Sequence, residues 1–191
     1  IYIRQRIPTL CPAWQDWKLD AALLAAHLRM GLPMGLQSSV IALGAIILQV
    51  ALNNLGALPV AAYAATQKID AVAVMPMLSF GYAMAAYTAQ NYGAQQYARI
   101  RAGVHACLKM SVAFAVAIGI LLIVFGTYLL ALFVGADAQG ADEVIAYGQT
   151  FLLVNGSAYI ILAVLLVYRN VLQGLGQSVV PTIAGAMELI M

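Results

Sequence analysis

The chain has 191 residues, of which 64% are hydrophobic and only 8% charged, and its mean hydropathy is +0.91. A soluble domain carries roughly 25% charged residues, so this chain has too few polar groups to cover a water-facing surface and fits lipid as its solvent. The net charge of +2 comes without a basic run interleaved with aromatics, which leaves nucleic-acid binding unsupported.

Residues 1–29 are the most polar stretch, with Arg4, Arg6, Lys18 and Arg29 set against Asp16 and Asp20. Pro8 and Pro12 break it twice. Trp14 and Trp17 suit a headgroup interface, and Asp20 can cap a helix beginning at Ala21. The stretch reads as a linker lying on one membrane face. A first span is expected over residues 30–52, long enough to cross at about 1.5 Å per residue. After the turn Asn53-Asn54-Leu55-Gly56, a second span covers 58–87 and carries Lys68 and Asp70. Residues 88–109 form a polar, basic connection with Gln90, Asn91, Arg99, Arg101 and Lys109. A third span covers 110–134. A short acidic loop follows, with Asp137, Asp142 and Glu143, and then a fourth span over 145–171. Gly174 to Ser178 break it, and Val179 opens a fifth, truncated span. The start at Ile1 and the end inside an apolar run read as a fragment missing sequence on both sides. The expected fold is an all-α transmembrane bundle of about five spans over 30–191.

The basic residues partition cleanly. The linker 1–29, the connection 88–109 and Arg169 at the end of span four hold every Lys and Arg except Lys68, while 53–57 and 135–144 hold none. The basic side, with 1–29 and 88–109, is therefore expected to be cytoplasmic.

Lys68 and Asp70 lie about 15–18 Å into their span, near the midplane, where a charge costs at least ~2.5–3.5 kcal/mol. At i and i+2 they point to opposite sides of a helix and do not pair. Asp70 can meet Thr66 and Gln67 behind it. Lys68 needs a partner from another helix, and Gln37 in span one is a candidate. The cluster reads either as part of a substrate or ion pathway, with Asp70 the ion-coupling candidate, or as a polar contact that fixes helix packing. A later start of the span would instead put both charges near the outer interface. Pro33 and Pro76 each remove a backbone hydrogen bond and permit a bend. Met75, Met77 and Met84 fit an adaptable apolar wall or ordinary core. Cys11, Cys107, His27 and His105 lack metal-ligand or redox spacing, so no metal site is expected. No nucleophile–base pair, P-loop or dinucleotide fingerprint occurs, and neither an enzyme nor a cofactor is expected.

Three stretches resemble the MATE (multidrug and toxin extrusion) family. They are Gly31-Leu32-Pro33-Met34-Gly35-Leu36-Gln37-Ser38-Ser39, then Val60 to Tyr63 through Ala89-Gln90-Asn91-Tyr92-Gly93-Ala94 to Arg101, and Arg169 to Ser178 followed by Pro181. The chain is similar to helices seven to eleven of the family's twelve, with 1–29 as the link between lobes and 30–191 as a partial C-terminal lobe. The resemblance implies a secondary antiporter of a bacterial inner membrane, exporting amphipathic or cationic organic compounds in exchange for Na⁺ or H⁺ by alternating access. It implies small organic substrates, membrane lipids and an N-terminal lobe as partners. Gln37, Tyr63, Gln67, Lys68, Asp70 and Tyr82 are the expected cavity residues. NorM-like members carry acids where this chain has Ile41 and Ile161 or Leu162, so the pattern is closer to the DinF-like branch, in which the resemblance implies a coupling acid in the first helix of the N-terminal lobe and leaves Asp70 as the midplane acid of this part. A lipid-linked precursor or polysaccharide exporter of the same superfamily would want a more basic cavity than Lys68 alone offers. A non-transporting scaffold would need no buried charge.

Overall fold

The computed structural model describes residues 18–134 and 140–190. Five helices make up almost all of it: α1 Ala21–Asn54, α2 Ala57–Gly93, α3 Tyr97–Val134, α4 Ala141–Gly174 and α5 Val179–Ile190. The first four are long and apolar enough to cross a membrane. α5, at 12 residues, rises about 18 Å. Large apolar side chains stand exposed on every long helix, Leu132 by 82%, Val72 by 74% and Ile161 by 72%. A helix that is apolar all round has no polar face to offer water, and hydrocarbon removes that conflict.

Asp20 caps α1 as its residue type and place suggested. Its carboxylate accepts from the Ala22 and Leu23 backbone N–H groups at 2.8 and 3.3 Å. Residues 21–29, expected within the linker, are the first turns of α1. Residues 1–17 and Asp137 lie outside the described residues.

The connection expected over 88–109 is not a loop. α2 continues through Gly93, α3 starts at Tyr97, and the turn is confined to 94–96. The cause is length. At 37 and 38 residues these helices rise about 55 Å, well beyond the ~30 Å hydrocarbon core. Their polar ends are therefore helix standing outside the apolar layer.

α2, α3 and α4 pack into one three-helix unit. Its core joins Ile69, Ala73 and Met77 of α2 to Leu122 and Leu130 of α3 and to Leu152, Tyr159 and Leu166 of α4. Small residues set the approach. A Cβ on Gly119 would stand 2.8 Å from the Gly156 carbonyl oxygen, and one on Gly174 would stand 2.5 Å from that of Ala85. Both crossings thus bring backbone against backbone.

α1 packs mainly on α5 and touches α2 lightly. Pro33 and Pro76 sit inside continuous helices. Pro33 leaves the Arg29 carbonyl without its i+4 donor. The Ser178 hydroxyl, just before α5, donates to that carbonyl at 3.4 Å, and the Thr182 hydroxyl of α5 donates to the Pro33 carbonyl at 3.0 Å. The proline's lost hydrogen bond becomes an attachment point between two helices.

Candidate functional site

Helical spacing places Tyr63, Gln67 and Asp70 at i, i+4 and i+7, on one face of α2. Two side chains from α4 meet this face. The Tyr159 hydroxyl donates to Asp70 Oδ1 at 2.6 Å, and Asn155 Nδ2 donates to the same oxygen at 3.4 Å. Asn155 and Tyr159 are themselves four apart, so one helix face delivers both donors. Tyr159 is only 2% exposed, while Asp70 is half-buried. The 2.6 Å separation lies at the short end for an O–H···O hydrogen bond.

Asp70 does not turn to Thr66 and Gln67 as its sequence neighbours suggested. The Thr66 hydroxyl donates to the Ala62 carbonyl at 2.8 Å, and the Gln67 amide donates to the Tyr63 hydroxyl. Tyr63 also stands edge-on to Phe151 of α4, ring centroids 5.7 Å apart. Asn155 and Tyr159 were missed at the sequence level. Their signal was present: two hydrogen-bonding side chains at i and i+4 inside the apolar run 145–171.

The six expected residues divide among three places. Tyr63, Gln67 and Asp70 line the α2–α4 face just described. Lys68 lies about 160° around the helix from Asp70 at 100° per residue, and it is exposed. It borders a separate cavity of about 390 Å³ near the start of α2, with Leu58, Ala61, Ala64 and Phe133. Because a helical side chain leans toward its own N-terminus, the ammonium can run along this alanine track toward the end of the helix.

Gln37 and Tyr82 share the third place. It is a cavity of about 210 Å³ between α1, α2 and α4, which Ser38, Arg169, Asn170 and Gln173 also line. Gln37 is buried and packs against Gly185 of α5. Gln37 therefore keeps company with Tyr82 and Arg169 rather than with Lys68.

On α4, Asn155, Tyr159, Leu162, Leu166, Arg169 and Gln173 follow one helical stripe, whereas on α2 Tyr82 lies about 120° around the helix from Asp70. The acidic site and the 210 Å³ cavity thus share one face of α4, with Leu162 and Leu166 between them. From Asn155 to Arg169 the rise is about 21 Å. Among the described residues no group of three His, Cys, Asp or Glu side chains could hold a metal ion. Asp70, Asn155 and Tyr159 offer instead hard oxygen atoms of the kind alkali and alkaline-earth cations take.

The profile of the MatE family matches residues 33–190. The Bacillus subtilis (strain 168) "Probable multidrug resistance protein YpnP" is 25% identical over 146 residues, which cover 76% of this chain and 31% of that protein. The "Probable multidrug resistance protein YoeA" of the same organism is 28% identical over 116 residues, 61% of this chain and 25% of that protein. A crystal structure of MATE in complex with MaL6 has the same fold, with a TM-score of 0.84 at 16% identity over 96% of this chain and 41% of that one. The chain thus spans a third or less of the two multidrug resistance proteins and under half of the solved structure.

Proposed function

The chain belongs to the MatE family, and from that premise we propose that it forms part of a secondary antiporter. The antiporter exports amphipathic or cationic organic compounds in exchange for Na⁺ or H⁺ by alternating access. The observation that carries this reading is Asp70, held at mid-helix by Tyr159 at 2.6 Å and Asn155 at 3.4 Å. A carboxylate on the inner face of a membrane bundle is a costly group that structure alone does not call for.

Asp70 is the only acidic residue in α1 to α4 beyond their first turns. The places where NorM-like relatives carry acids are apolar: Ile41 borders the Gln37–Tyr82 cavity and Ile161 is exposed. This favours the DinF-like branch, whose coupling acid belongs to the N-terminal lobe, and leaves Asp70 as the ion-responsive candidate in this part of the protein. Tyr63, Gln67 and Asp70 would meet the cationic end of a substrate, and Gln37 and Tyr82 its distal end. Lys68, on another face, would take part only through the 390 Å³ cavity.

The test is export by the full-length protein in proteoliposomes, followed with a fluorescent organic cation under an imposed Na⁺ or pH gradient. Asp70→Asn is expected to slow gradient-driven export about tenfold, within the usual span of coupling between two sites, with unchanged amounts of inserted protein. Normal transport by this variant would remove the assignment of Asp70. Failure of the wild type to move any organic cation, together with translocation of a lipid-linked saccharide, would move the protein to the flippase class.

A further inference from the structure

The buried amide of Gln37 has no protein partner. The residue is 5% exposed, and among the described residues nothing donates to its side chain or accepts from it. It borders the 210 Å³ cavity between α1, α2 and α4. Its stem is clasped by α5. A Cβ on Gly185 would stand 3.0 Å from Gln37 Cγ, so glycine there lets α5 close over the side chain. A glutamine amide carries two N–H donors and a carbonyl acceptor. Leaving them unmet away from water is costly, the more so within a membrane. The cavity beside Gln37 is where a ligand can meet them.

The rest of the wall narrows the chemistry of that ligand. Among the described residues that line the cavity none is acidic, and Arg169 is basic, so a cation finds no counter-charge there. Arg169 already has an interaction partner, so an anion would have to compete for it. The other polar groups are neutral: Gln37, Asn170 and Gln173 bring amides, Ser38 and Tyr82 hydroxyls. The Ser38 hydroxyl donates to the Met34 carbonyl at 3.1 Å, and Asn170 Nδ2 donates to the Leu166 carbonyl at 2.9 Å. Both side chains keep an acceptor oxygen. Ile41 and Leu78 add an apolar wall. At 210 Å³ the space is smaller than the roughly 300–1,000 Å³ that a drug-sized molecule fills. It suits one ring or short chain with one polar end.

We propose that this cavity binds the neutral carboxamide end of an organic compound. A carboxamide answers Gln37 at two points. Its carbonyl accepts from the Gln37 N–H, and its own N–H donates to the Gln37 oxygen, while its hydrocarbon part lies along Ile41 and Leu78. An ammonium only donates and a carboxylate only accepts, so either ion leaves half of that pair unmet. That the occupant is the far end of an exported compound rests on the antiporter reading; the binding itself does not.

The test uses three probes of one size, benzamide, benzylammonium and benzoate. Each is titrated onto the full-length protein in nanodiscs and followed by saturation-transfer NMR, with empty nanodiscs as the blank. The wild type is expected to bind benzamide about tenfold more tightly than either ion. Gln37→Leu should weaken benzamide about tenfold. Ile41→Trp fills the cavity from an exposed position and should abolish binding. Equal or tighter binding of either ion overturns the proposal. So does benzamide binding that a folded Gln37→Leu or Ile41→Trp protein retains in full, and so does a cavity that takes up no benzamide and holds water alone. Export of an organic cation by a protein that does not bind benzamide removes the amide site alone. Benzamide binding without export supports the site and removes the antiporter reading alone.

Discussion

Asp70 owes its place to partners that come from 85 and 89 residues away in sequence. Hydrogen bonds between membrane helices are worth ~0.6 kcal/mol on average and up to ~1.7. The 2.6 Å bond from Tyr159 belongs at the upper end of that range and the 3.4 Å bond from Asn155 at the lower. Tyr159→Phe should therefore destabilise the protein by about 1–2 kcal/mol and Asn155→Leu by less than about 1 kcal/mol, as read from unfolding in detergent. The reverse order would mean that the amide, not the phenol, holds the carboxylate. Asp70 itself was legible in the sequence because a charge inside an apolar run is costly. Its partners were not, because Asn and Tyr are tolerated in membrane helices for many reasons and only folding shows which face they share with α2. The local alternative, Thr66 and Gln67, failed because both side chains are spent on their own helix at Ala62 and Tyr63.

Among the helices, small residues do the work that a hydrophobic driving force does in water. Lipid tails are as apolar as leucine, so only close approach and polar contacts favour helix association. Gly119 against Gly156 is such an approach. Gly119→Val should cost about 1–3 kcal/mol or more through overpacking. Gly31→Ala, with nothing within 4 Å of the added carbon, should stay within about 0.5 kcal/mol. Unfolding midpoints of the two variants side by side check the contrast, and equal effects would deny the α3–α4 contact. The existence and order of the helices were legible because hydropathy reports the stretch that lipid surrounds. Their ends were less so. Arg99, Arg101 and Lys109 lie on α3, yet hydropathy has no means of telling a polar helix end from a loop. Pro33 was legible as an irregularity in α1 only in outline, since Ser178 and Thr182, which complete it, lie 149 residues on from the carbonyls of Arg29 and Pro33 that they meet, at the start of α5.

At the scale of the molecule, two groups of helices emerge, α2–α3–α4 and α1–α5, with the 210 Å³ polar cavity where they face each other. Every Lys and Arg in the described residues except Lys68 lies toward one end. With Cys11 and Cys107 replaced by alanine, a cysteine at Asn54 should react with a membrane-impermeant thiol reagent in intact cells. One at Gln95 should be protected until the membrane is opened, and the opposite pattern would invert the proposed topology. The central claim is that Asp70 lies within the membrane on a polar path that substrate or coupling ion can reach. Labelling of the full-length protein with a membrane-permeant carbodiimide, followed by peptide mass spectrometry, tests it most directly. Asp70 should be modified, and excess Na⁺ or an organic cation should protect it. A carboxyl that is never modified, or one modified to the same extent with and without either cation, would contradict the proposal.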